Sequence, residues 1–415
     1  MVRSSLASCS RLLACWGNGD FGRLGHGIGC FGETVPIICG LLSDLSVAQA
    51  SCGGAHTVVV TDSGVAFSMG LNEDGQLGHS SEAQFVPVPQ EIVLPEPVTQ
   101  VAAGHHHTLF LTESGNVWAC GRNNRGQLGL GSKTGSFATI PQRLEALTGA
   151  NIVSIAAGAE HCLAANAAGQ LFSWGCGSNG RLGHAQSSSR LWFWNKDESY
   201  PRLVQSMREK VANISCGHMH SGCIDANGVV YTWGYGSYWQ LGTGQTLDAG
   251  LPQKVDGLHG ATQLAMGGAH TLALRETGDV VAWGANQNGV LGMGIGVSQD
   301  ARVPTRVPKL SCSQVSTGWK HSAAVGHAGE LYSWGWGGSV GTATSFETGQ
   351  SSGGQLGLGN EFDYWMPTQV TSLLRSGTGI PESEPTAPIL ASSWKAMHVS
   401  CGFNHTAAIV ETKES

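Results

Sequence analysis

The sequence is organised by one short motif, a glycine and a histidine separated by two residues and followed by Thr, Ser or Cys. It reads GGAHT, GHHHT, GAEHC, GHMHS, GGAHT, GWKHS and GFNHT along the chain. The histidines of these copies are His56, His107, His161, His220, His270, His321 and His405. Successive histidines are 50 to 59 residues apart, except for a last interval of 84. A motif that recurs at such a period indicates a repeat architecture.

A second motif follows the pattern W-G-x-n-x-x-G-x-L-G and also occurs seven times. Its copies start at Trp16, Met69, Cys120, Trp174, Trp233, Trp283 and Trp334. Turns between the motifs end in a glycine, which adopts a positive φ without steric cost: Gly64, Gly115, Gly169, Gly228, Gly278 and Gly329. Each unit therefore contains four short strands, which is the content of one propeller blade. We predict an all-β fold, a seven-bladed β-propeller with four short strands per blade.

The two ends of the sequence complement each other. The first W-G motif has no G-x-x-H motif before it, and the last G-x-x-H motif has no W-G motif after it. Pairing the N-terminal strand with the C-terminal strand would remove an open sheet edge. We therefore predict a single propeller over 12–411, preceded by a flexible or targeting segment at 1–11. The repeats are expected at approximately 12–63, 64–114, 115–168, 169–227, 228–277, 278–328 and 329–411.

Composition excludes several classes of protein. The formal net charge of −7 argues against a general polyanion binder, which would usually be basic. No run of 18 apolar residues is present, so we expect no membrane insertion. The 12 cysteines have no zinc-ligand spacing, and Cys52, Cys216 and Cys401 recur just before a motif glycine. We expect these three to be small, buried and reduced.

The first residues have the composition of an organellar transit peptide. Arg3 and Arg11 are present, and no acidic residue precedes Asp20. A plain disordered terminus accounts for the same residues equally well. We predict a mitochondrial location, with cytoplasm or nucleus as the alternative.

Both motifs, at this spacing and in seven copies, resemble the regulator of chromosome condensation family of β-propellers, over about Leu12 to Glu411. Three branches of the family imply different functions. The founding branch implies guanine-nucleotide exchange on the small GTPase Ran, but it uses a β-wedge that we cannot match residue by residue here. The plant UV-B photoreceptor implies GWRHT pentapeptides in three successive repeats. Here those repeats read GHMHS, GGAHT and GWKHS, which leaves only Trp319, so we expect no photoreception.

A third, plant organellar branch is the one that this sequence resembles most in appearance. The resemblance lies in the opening WGNGDFGRLG, in GWKHS, and in a last repeat that reads WGWGG, an insertion, SSGGQLG and SCGFNHTAA. A match in an insertion is informative because the fold does not require it. This resemblance implies support of mitochondrial intron splicing and of respiratory complex I assembly.

The repeated side chains favour a structural role over a chemical one. The run His105-His106-His107 suggests a metal site, but metal ligands must converge, and His107 recurs around the whole ring of repeats. The tryptophans of the second motif read as core packing between sheets: Trp16, Trp174, Trp233, Trp283 and Trp334. No nucleophile elbow or phosphate-binding glycine loop is present. We therefore expect no enzyme, no catalytic residue, no metal and no cofactor.

A loop in the fourth repeat, between His184 and Pro201, departs most from the pattern. The residues that we predict to contact a partner are Arg190, Trp192, Phe193, Trp194 and Lys196. Aromatic rings beside cations suit a protein interface or base stacking on single-stranded RNA. Rings folded back onto their own blade are the alternative.

Together these features predict a non-catalytic protein-interaction scaffold. Protein partners are expected, and contact with RNA would be indirect. A guanine-nucleotide exchange factor for a Ran-like small GTPase is the first alternative. A general propeller adaptor with other protein partners is the second.

Overall fold

A computed structural model describes residues 11–80, 82–131, 135–184, 196–338, 353–375 and 389–412. Regular structure in these ranges is almost entirely β. The exceptions are single turns of 3₁₀ helix at Asp20–Gly22, Gly40–Leu42, Glu145–Leu147, Ser178–Gly180, Gln287–Gly289 and Ala391–Ser393. None of the helices in the described ranges is long and apolar enough to cross a bilayer.

The strands follow one another as antiparallel meanders. The first two are β1 (Arg11–Asn18) and β2 (Gly32–Ile38). Two four-stranded sheets come next, β3 (Val47–Cys52), β4 (His56–Thr61), β5 (Ala66–Leu71) and β6 (Phe85–Ile92), then β7 (Val98–Ala103), β8 (His107–Thr112), β9 (Val117–Arg122) and β10 (Phe137–Arg143). Two more consist of β11 (Ile152–Ala157), β12 (His161–Asn166), β13 (Leu171–Gly175) and β14 (Glu198–Leu203), then β15 (Val211–Cys216), β16 (His220–Asp225), β17 (Val230–Gly234) and β18 (Ala249–Lys254).

One long strand joins the next two groups into a seven-stranded sheet. Its members are β19 (Ala261–Met266), β20 (His270–Arg275), β21 (Asp279–Gly284), β22 (Ala301–Thr317), β23 (His321–Gly326), β24 (Leu331–Gly335) and β25 (Tyr364–Gln369). The first part of β22 pairs with β21 and its last part pairs with β23, so the strand belongs to two successive groups of four. The chain ends with a small pair, β26 (Ser372–Leu373) and β27 (Ile389–Leu390), and with β28 (Trp394–Cys401) and β29 (His405–Thr412).

The two termini share one sheet, with the strand order β2-β1-β29-β28. Strand β1 pairs with β29 in continuous register from Arg11 opposite Glu411 to Gly17 opposite His405. The expected pairing of the first and last strands is therefore observed. Strand β1 already includes Arg11, one residue before the predicted start of the propeller, and the Arg11 guanidinium forms an ion pair with Asp62. Residues 1–10 of the predicted flexible or targeting segment lie outside the described residues.

The sheets contact one another in a closed ring, which makes the fold an all-β propeller. The first strand of each sheet contacts the first strand of the next, and β28 contacts both β22 and β3. These first strands surround a central shaft. In each sheet the turn of the G-x-x-H motif joins the first strand to the second. Because successive strands are antiparallel, the loop that joins the third strand to the fourth lies at the same end of the shaft as this turn. We call this end the motif end.

Local sequence explains why the inner strands are so thoroughly buried. In β4, Val58, Val59 and Val60 are at most 1% exposed, because both faces of the sheet are covered by neighbouring sheets. Branched side chains suit such strands. Gly64 closes the following turn with φ of 80°, a conformation that is strained for other residues. Each sequence unit supplies strands to two sheets: the unit 64–114 contains β5 to β8.

Candidate functional site

The motif histidines lie at the joints between neighbouring sheets. In every joint, Nε2 of the histidine is 2.8 to 3.1 Å from a hydroxyl oxygen or thiol sulfur in the next sheet. This oxygen or sulfur belongs to the last residue of that sheet's motif, the Thr, Ser or Cys that follows the histidine. The pairs are His56–Thr108, His107–Cys162, His161–Ser221, His220–Thr271, His270–Ser322, His321–Thr406 and His405–Thr57. The last pair connects the end of the chain to its beginning, so the pairs form a closed ring.

A second hydrogen bond shows that Nε2 of each of these rings carries a proton. The Thr271 hydroxyl donates to the carbonyl of Gln240 at 2.9 Å, and the indole N–H of Trp283 donates to the same carbonyl at 2.9 Å. A hydroxyl has one proton to donate, so it must accept from Nε2–H of His220. The indoles of Trp16, Trp174, Trp233 and Trp334 donate in the same way to the carbonyls of Gln355, Gln127, Arg181 and Val290.

These histidines are buried and neutral. Burial lowers the pKa of His56, His107, His220 and His321 to about 3 and that of His270 to about 4. It also holds the pKa of His161 and His405 well below the usual range. Within the described ranges, no group of His, Cys, Asp and Glu is arranged to hold a metal ion. His107 lies in a joint while its neighbour His105 lines the shaft, so the histidine run does not converge on one point.

The cysteines of the described residues are all free thiols. Burial raises the pKa of Cys52 and Cys401 to about 12, and it raises the pKa of Cys216 as well. Such thiols stay protonated at neutral pH and are poor nucleophiles. In this part of the chain, therefore, neither the motif histidines nor these thiols form an accessible reactive group.

Variation inside the motif creates a surface at the motif end of the shaft. The residue after the motif glycine varies among the sheets and lines the opening: Gly54, His105, Ala159, His218, Gly268, Trp319 and Phe403. Four of these are aromatic or imidazole rings, and together with Trp336 they form what we call the shaft-end cluster: His105, His218, Trp319, Trp336 and Phe403.

Rings of the shaft-end cluster contact one another across the opening. Trp319 stacks on Phe403 with centroids 4.3 Å apart and planes 10° apart. Phe403 also stacks on His105 at 5.3 Å, and Trp336 meets Trp319 edge to face at 6.4 Å. Such offset and edge-on arrangements are the favourable ones for aromatic pairs. His105 and Phe403 lie near opposite ends of the sequence, and closure of the ring brings these two residues together.

A groove of about 420 Å³ opens beside this cluster. Its walls include Tyr235 and Tyr238 on one side and Trp319 and Lys320 on the other, and Gly268 lies on its floor. A Cβ atom at Gly268 would collide with the backbone oxygen and the ring of Trp319. Glycine is therefore needed at this position for the Trp319 ring to lie where it does.

Most of the predicted partner-binding loop lies outside the described residues. This applies to Arg190, Trp192, Phe193 and Trp194, whereas Lys196 is described and exposed. The neighbouring Asp197 accepts a hydrogen bond from the Gly177 backbone N–H at 2.9 Å, which fixes the end of the loop at the motif end. The loop is shorter than predicted: Pro201 belongs to β14, whose pairing with β13 begins at Glu198 opposite Gly175.

Sequence reasoning missed the residues that line the groove. Lys320, Tyr235 and Trp336 stand next to motif residues and were interpreted only as parts of the repeat. The available signal was their variation: sheets that share every motif residue carry different side chains at these positions. Of the groove residues, only Trp319 was singled out, and then as the remnant of a photoreceptor pattern.

Comparison with known proteins places this architecture in a family. The model of the RCC1-like domain matches residues 12–408. The ultraviolet-B receptor UVR8 of Arabidopsis thaliana is 33% identical over 398 residues, which cover 94% of this chain and 85% of the receptor. The regulator of chromosome condensation of Mus musculus is 31% identical and covers 87% of this chain and 85% of its own length. The secretion-regulating guanine nucleotide exchange factor of Bos taurus is 31% identical, with coverage of 96% and 83%.

Solved structures show the same fold at lower identity. Human WBSCR16 superposes with a TM-score of 0.78 at 23% identity, covering 97% of this chain and 99% of that one. Prp20p of Saccharomyces cerevisiae, whose binding to Gsp1p and histones has been studied, superposes with a TM-score of 0.80 at 24% identity and coverage of 98% and 93%.

Proposed function

Because this chain belongs to the family of RCC1-like domains, we propose that it is a seven-bladed, non-catalytic protein-interaction scaffold of the mitochondrion. In this role it supports intron splicing of organelle transcripts and assembly of respiratory complex I. The closed ring of seven histidine joints supports the blade number. RNA contact would be indirect, through the proteins that the scaffold holds.

The observation that carries the scaffold proposal is the concentration of exposed apolar side chains at the motif end. Loops that join the third and fourth strands of four consecutive sheets expose large apolar residues there. They are Tyr238, Leu247, Ile295, Val297, Phe362, Ile28 and Phe31, with exposures from 42% to 87%. The shaft-end cluster lies at the same end. Exposed apolar surface of this kind marks protein–protein interaction sites.

The absence of catalysis is supported by the state of the reactive groups. The motif histidines are neutral and hydrogen-bonded inside the joints, and burial keeps the thiols of Cys52 and Cys401 protonated. Mitochondrial location is supported by the acid-free N-terminal sequence with Arg3 and Arg11 and by the resemblance in the last repeat. Its insertion, at 339–352, lies outside the described residues.

The scaffold proposal is tested by comparing variants at the two ends of the shaft. Ile295→Ser with Phe362→Ser removes apolar surface at the motif end, and Val93→Ser is the matched control, since Val93 is as exposed as Ile295 at 87% but lies at the opposite end. Full-length protein expressed in mitochondria is crosslinked and its partners are identified. We expect loss of splicing and complex I assembly factors from the double variant only, together with retained introns in organelle transcripts. Partners unrelated to splicing would indicate a general adaptor instead.

A guanine-nucleotide exchange factor for a Ran-like small GTPase is a second candidate. It is favoured by the secretion-regulating guanine nucleotide exchange factor of Bos taurus, which is 31% identical over 431 residues. The decisive assay is release of labelled GDP from a Ran-like GTPase. A rate clearly above the spontaneous one would replace the scaffold proposal with exchange activity.

A further inference from the structure

The groove beside the shaft-end cluster exists because one sheet carries the smallest side chains at three surface positions of the repeat. These are the two positions after the motif glycine and the position after W-G. In the sheet that begins with β19 they are Gly268, Ala269 and Ala285. The preceding sheet has His218, Met219 and Tyr235, and the following sheet has Trp319, Lys320 and Trp336. The groove therefore lies over the sheet with small side chains, between two sheets whose side chains at these positions are large.

Contacts within the protein hold the walls of this groove in place. Tyr235 meets Tyr238 edge to face with centroids 6.0 Å apart, and its backbone N–H donates to the Met219 carbonyl at 3.0 Å. On the other side, Trp319 is stacked on Phe403. Pre-formed walls lower the ordering cost of binding.

One cation, Lys320, stands at the edge of the groove. Its ammonium group lies 4.5 Å from the ring centroid of Trp319 and 5.6 Å from that of Trp336, and it forms no ion pair with a described residue. No carboxylate of the described residues lines the groove. Asp363 is the acid whose charge acts on Lys320, but its oxygens accept from the Gly337 N–H at 3.0 Å and from the Asn288 amide at 2.7 Å. The half-buried ammonium is therefore available to an anion.

We propose that this groove binds a linear peptide segment of a partner protein in which an aromatic side chain stands next to a carboxylate. The inference rests on the proposed scaffold function and names the chemistry of its partner. The aromatic side chain lies between Tyr235 and Trp319, above Ala269 and Ala285, and the carboxylate pairs with Lys320. The volume of about 420 Å³ falls in the range of sites that enclose small ligands or side chains.

Charge and shape favour a peptide over a nucleotide. Nucleic-acid and phosphate sites use several arginines or lysines, whereas Lys320 is the only Lys or Arg among the described residues that line the groove. A purely apolar peptide would leave the half-buried ammonium without a partner, which is unfavourable. An acidic-aromatic segment satisfies both the walls and the charge.

The test selects ligands without assuming a partner. A phage library of random 12-residue peptides is selected on the full-length protein, and the best peptide is synthesised with a fluorescein label. We expect the selected sequences to contain Trp, Tyr or Phe within two positions of Asp or Glu. Lys320→Met should lower the affinity for the labelled peptide at least tenfold. When the selection is repeated on this variant, the preference for acidic residues should disappear and the preference for aromatic residues should remain.

A second variant fills the groove instead of changing its charge. Ala285→Tyr places there the side chain that the preceding sheet carries at the same repeat position, Tyr235, so the fold should tolerate it. We expect it to abolish peptide binding without a change in melting temperature. Lys254→Met is the matched control, because Lys254 is an exposed lysine at the opposite end of the neighbouring sheet and pairs with Tyr231. It should change the affinity less than twofold.

Three outcomes would overturn the inference. They are selection of basic or purely apolar peptides, unchanged affinity in both Lys320→Met and Ala285→Tyr, and Lys320-dependent binding of a fluorescent nucleotide or short RNA with no peptide enriched. The proposed function fails separately. If Ala285→Tyr retains all mitochondrial partners, the groove assignment is wrong and the scaffold stands. If the peptide binds as expected but the protein is not mitochondrial, the groove assignment is retained and the proposed mitochondrial function is wrong.

Discussion

The ring of buried neutral histidines should make this propeller sensitive to mild acid. Each joint histidine has a pKa far below that of an exposed histidine, about 6.5, because burial disfavours its charged form. The folded protein therefore binds no proton at these sites near pH 6, while the unfolded chain does. The contribution of these histidines to the free energy of unfolding is therefore fully present above pH 6.5 and is lost as the pH drops below that value.

The magnitude follows from the number of joints. One histidine with a depressed pKa removes about 1.4 kcal/mol of unfolding free energy per pH unit. The seven joints of the ring together remove on the order of 10 kcal/mol per pH unit. Native domains have about 5–15 kcal/mol in total. We expect the propeller to unfold within roughly one to two pH units below 6.5.

The assay is urea unfolding at a series of pH values between 5 and 8, from which the slope of unfolding free energy against pH is taken. His220→Gln is the informative variant, because a glutamine amide can donate to the Thr271 hydroxyl but does not titrate. Whatever its effect on stability at pH 8, this variant should lower the slope by about 1.4 kcal/mol per pH unit, which corresponds to one proton fewer taken up on unfolding. A wild-type slope below about two protons between pH 5.5 and 6.5, or an unchanged slope in His220→Gln, would refute the reasoning.

Four further predictions concern other parts of the molecule. Deleting residues 1–17 removes nearly all of β1, including Trp16, which is fully buried between sheets, so the melting transition should broaden or fall by well over 10 °C in calorimetry. Cys162→Ser replaces the thiol of one joint with the hydroxyl found at the others, and denaturant unfolding should show a gain of about 0.5–1 kcal/mol. Alanine at both Trp192 and Trp194 should weaken partner binding at least tenfold with little change in melting temperature, and a strongly destabilised double variant would place these rings in the core. UV-B irradiation should leave the elution volume on a sizing column unchanged, because only Trp319 of the pentapeptide tryptophans is present, and a light-driven shift would reverse that conclusion.

The sequence predicts the fold well because the repeated residues are those that neighbouring sheets contact. His220, Thr271 and Trp283 meet at a single joint, and the same side chains must recur wherever a joint recurs. Pairing of β1 with β29 follows from the same repeat, since each end carries half of a unit.

The candidate site could not be predicted in the same way, because it consists of residues that do not repeat. Trp319 and Phe403 are 84 positions apart and stack only because their sheets are adjacent in the ring. The groove itself depends on small residues, Gly268 and Ala285, which carry no chemical signal of their own. Their importance is visible only when the large side chains of the neighbouring sheets are placed around them.

The sheet shared by the two termini has a consequence for how the protein is made. During synthesis β1 emerges first, yet its partner β29 emerges only after almost 400 further residues. The edge of β1 therefore stays unpaired until translation, or import through a membrane channel, is nearly complete, and unpaired edges promote aggregation. Chaperones should hold the nascent chain throughout this period. A truncation that removes β29 should then be as damaging as a much larger deletion, because the ring would have no last strand with which to close.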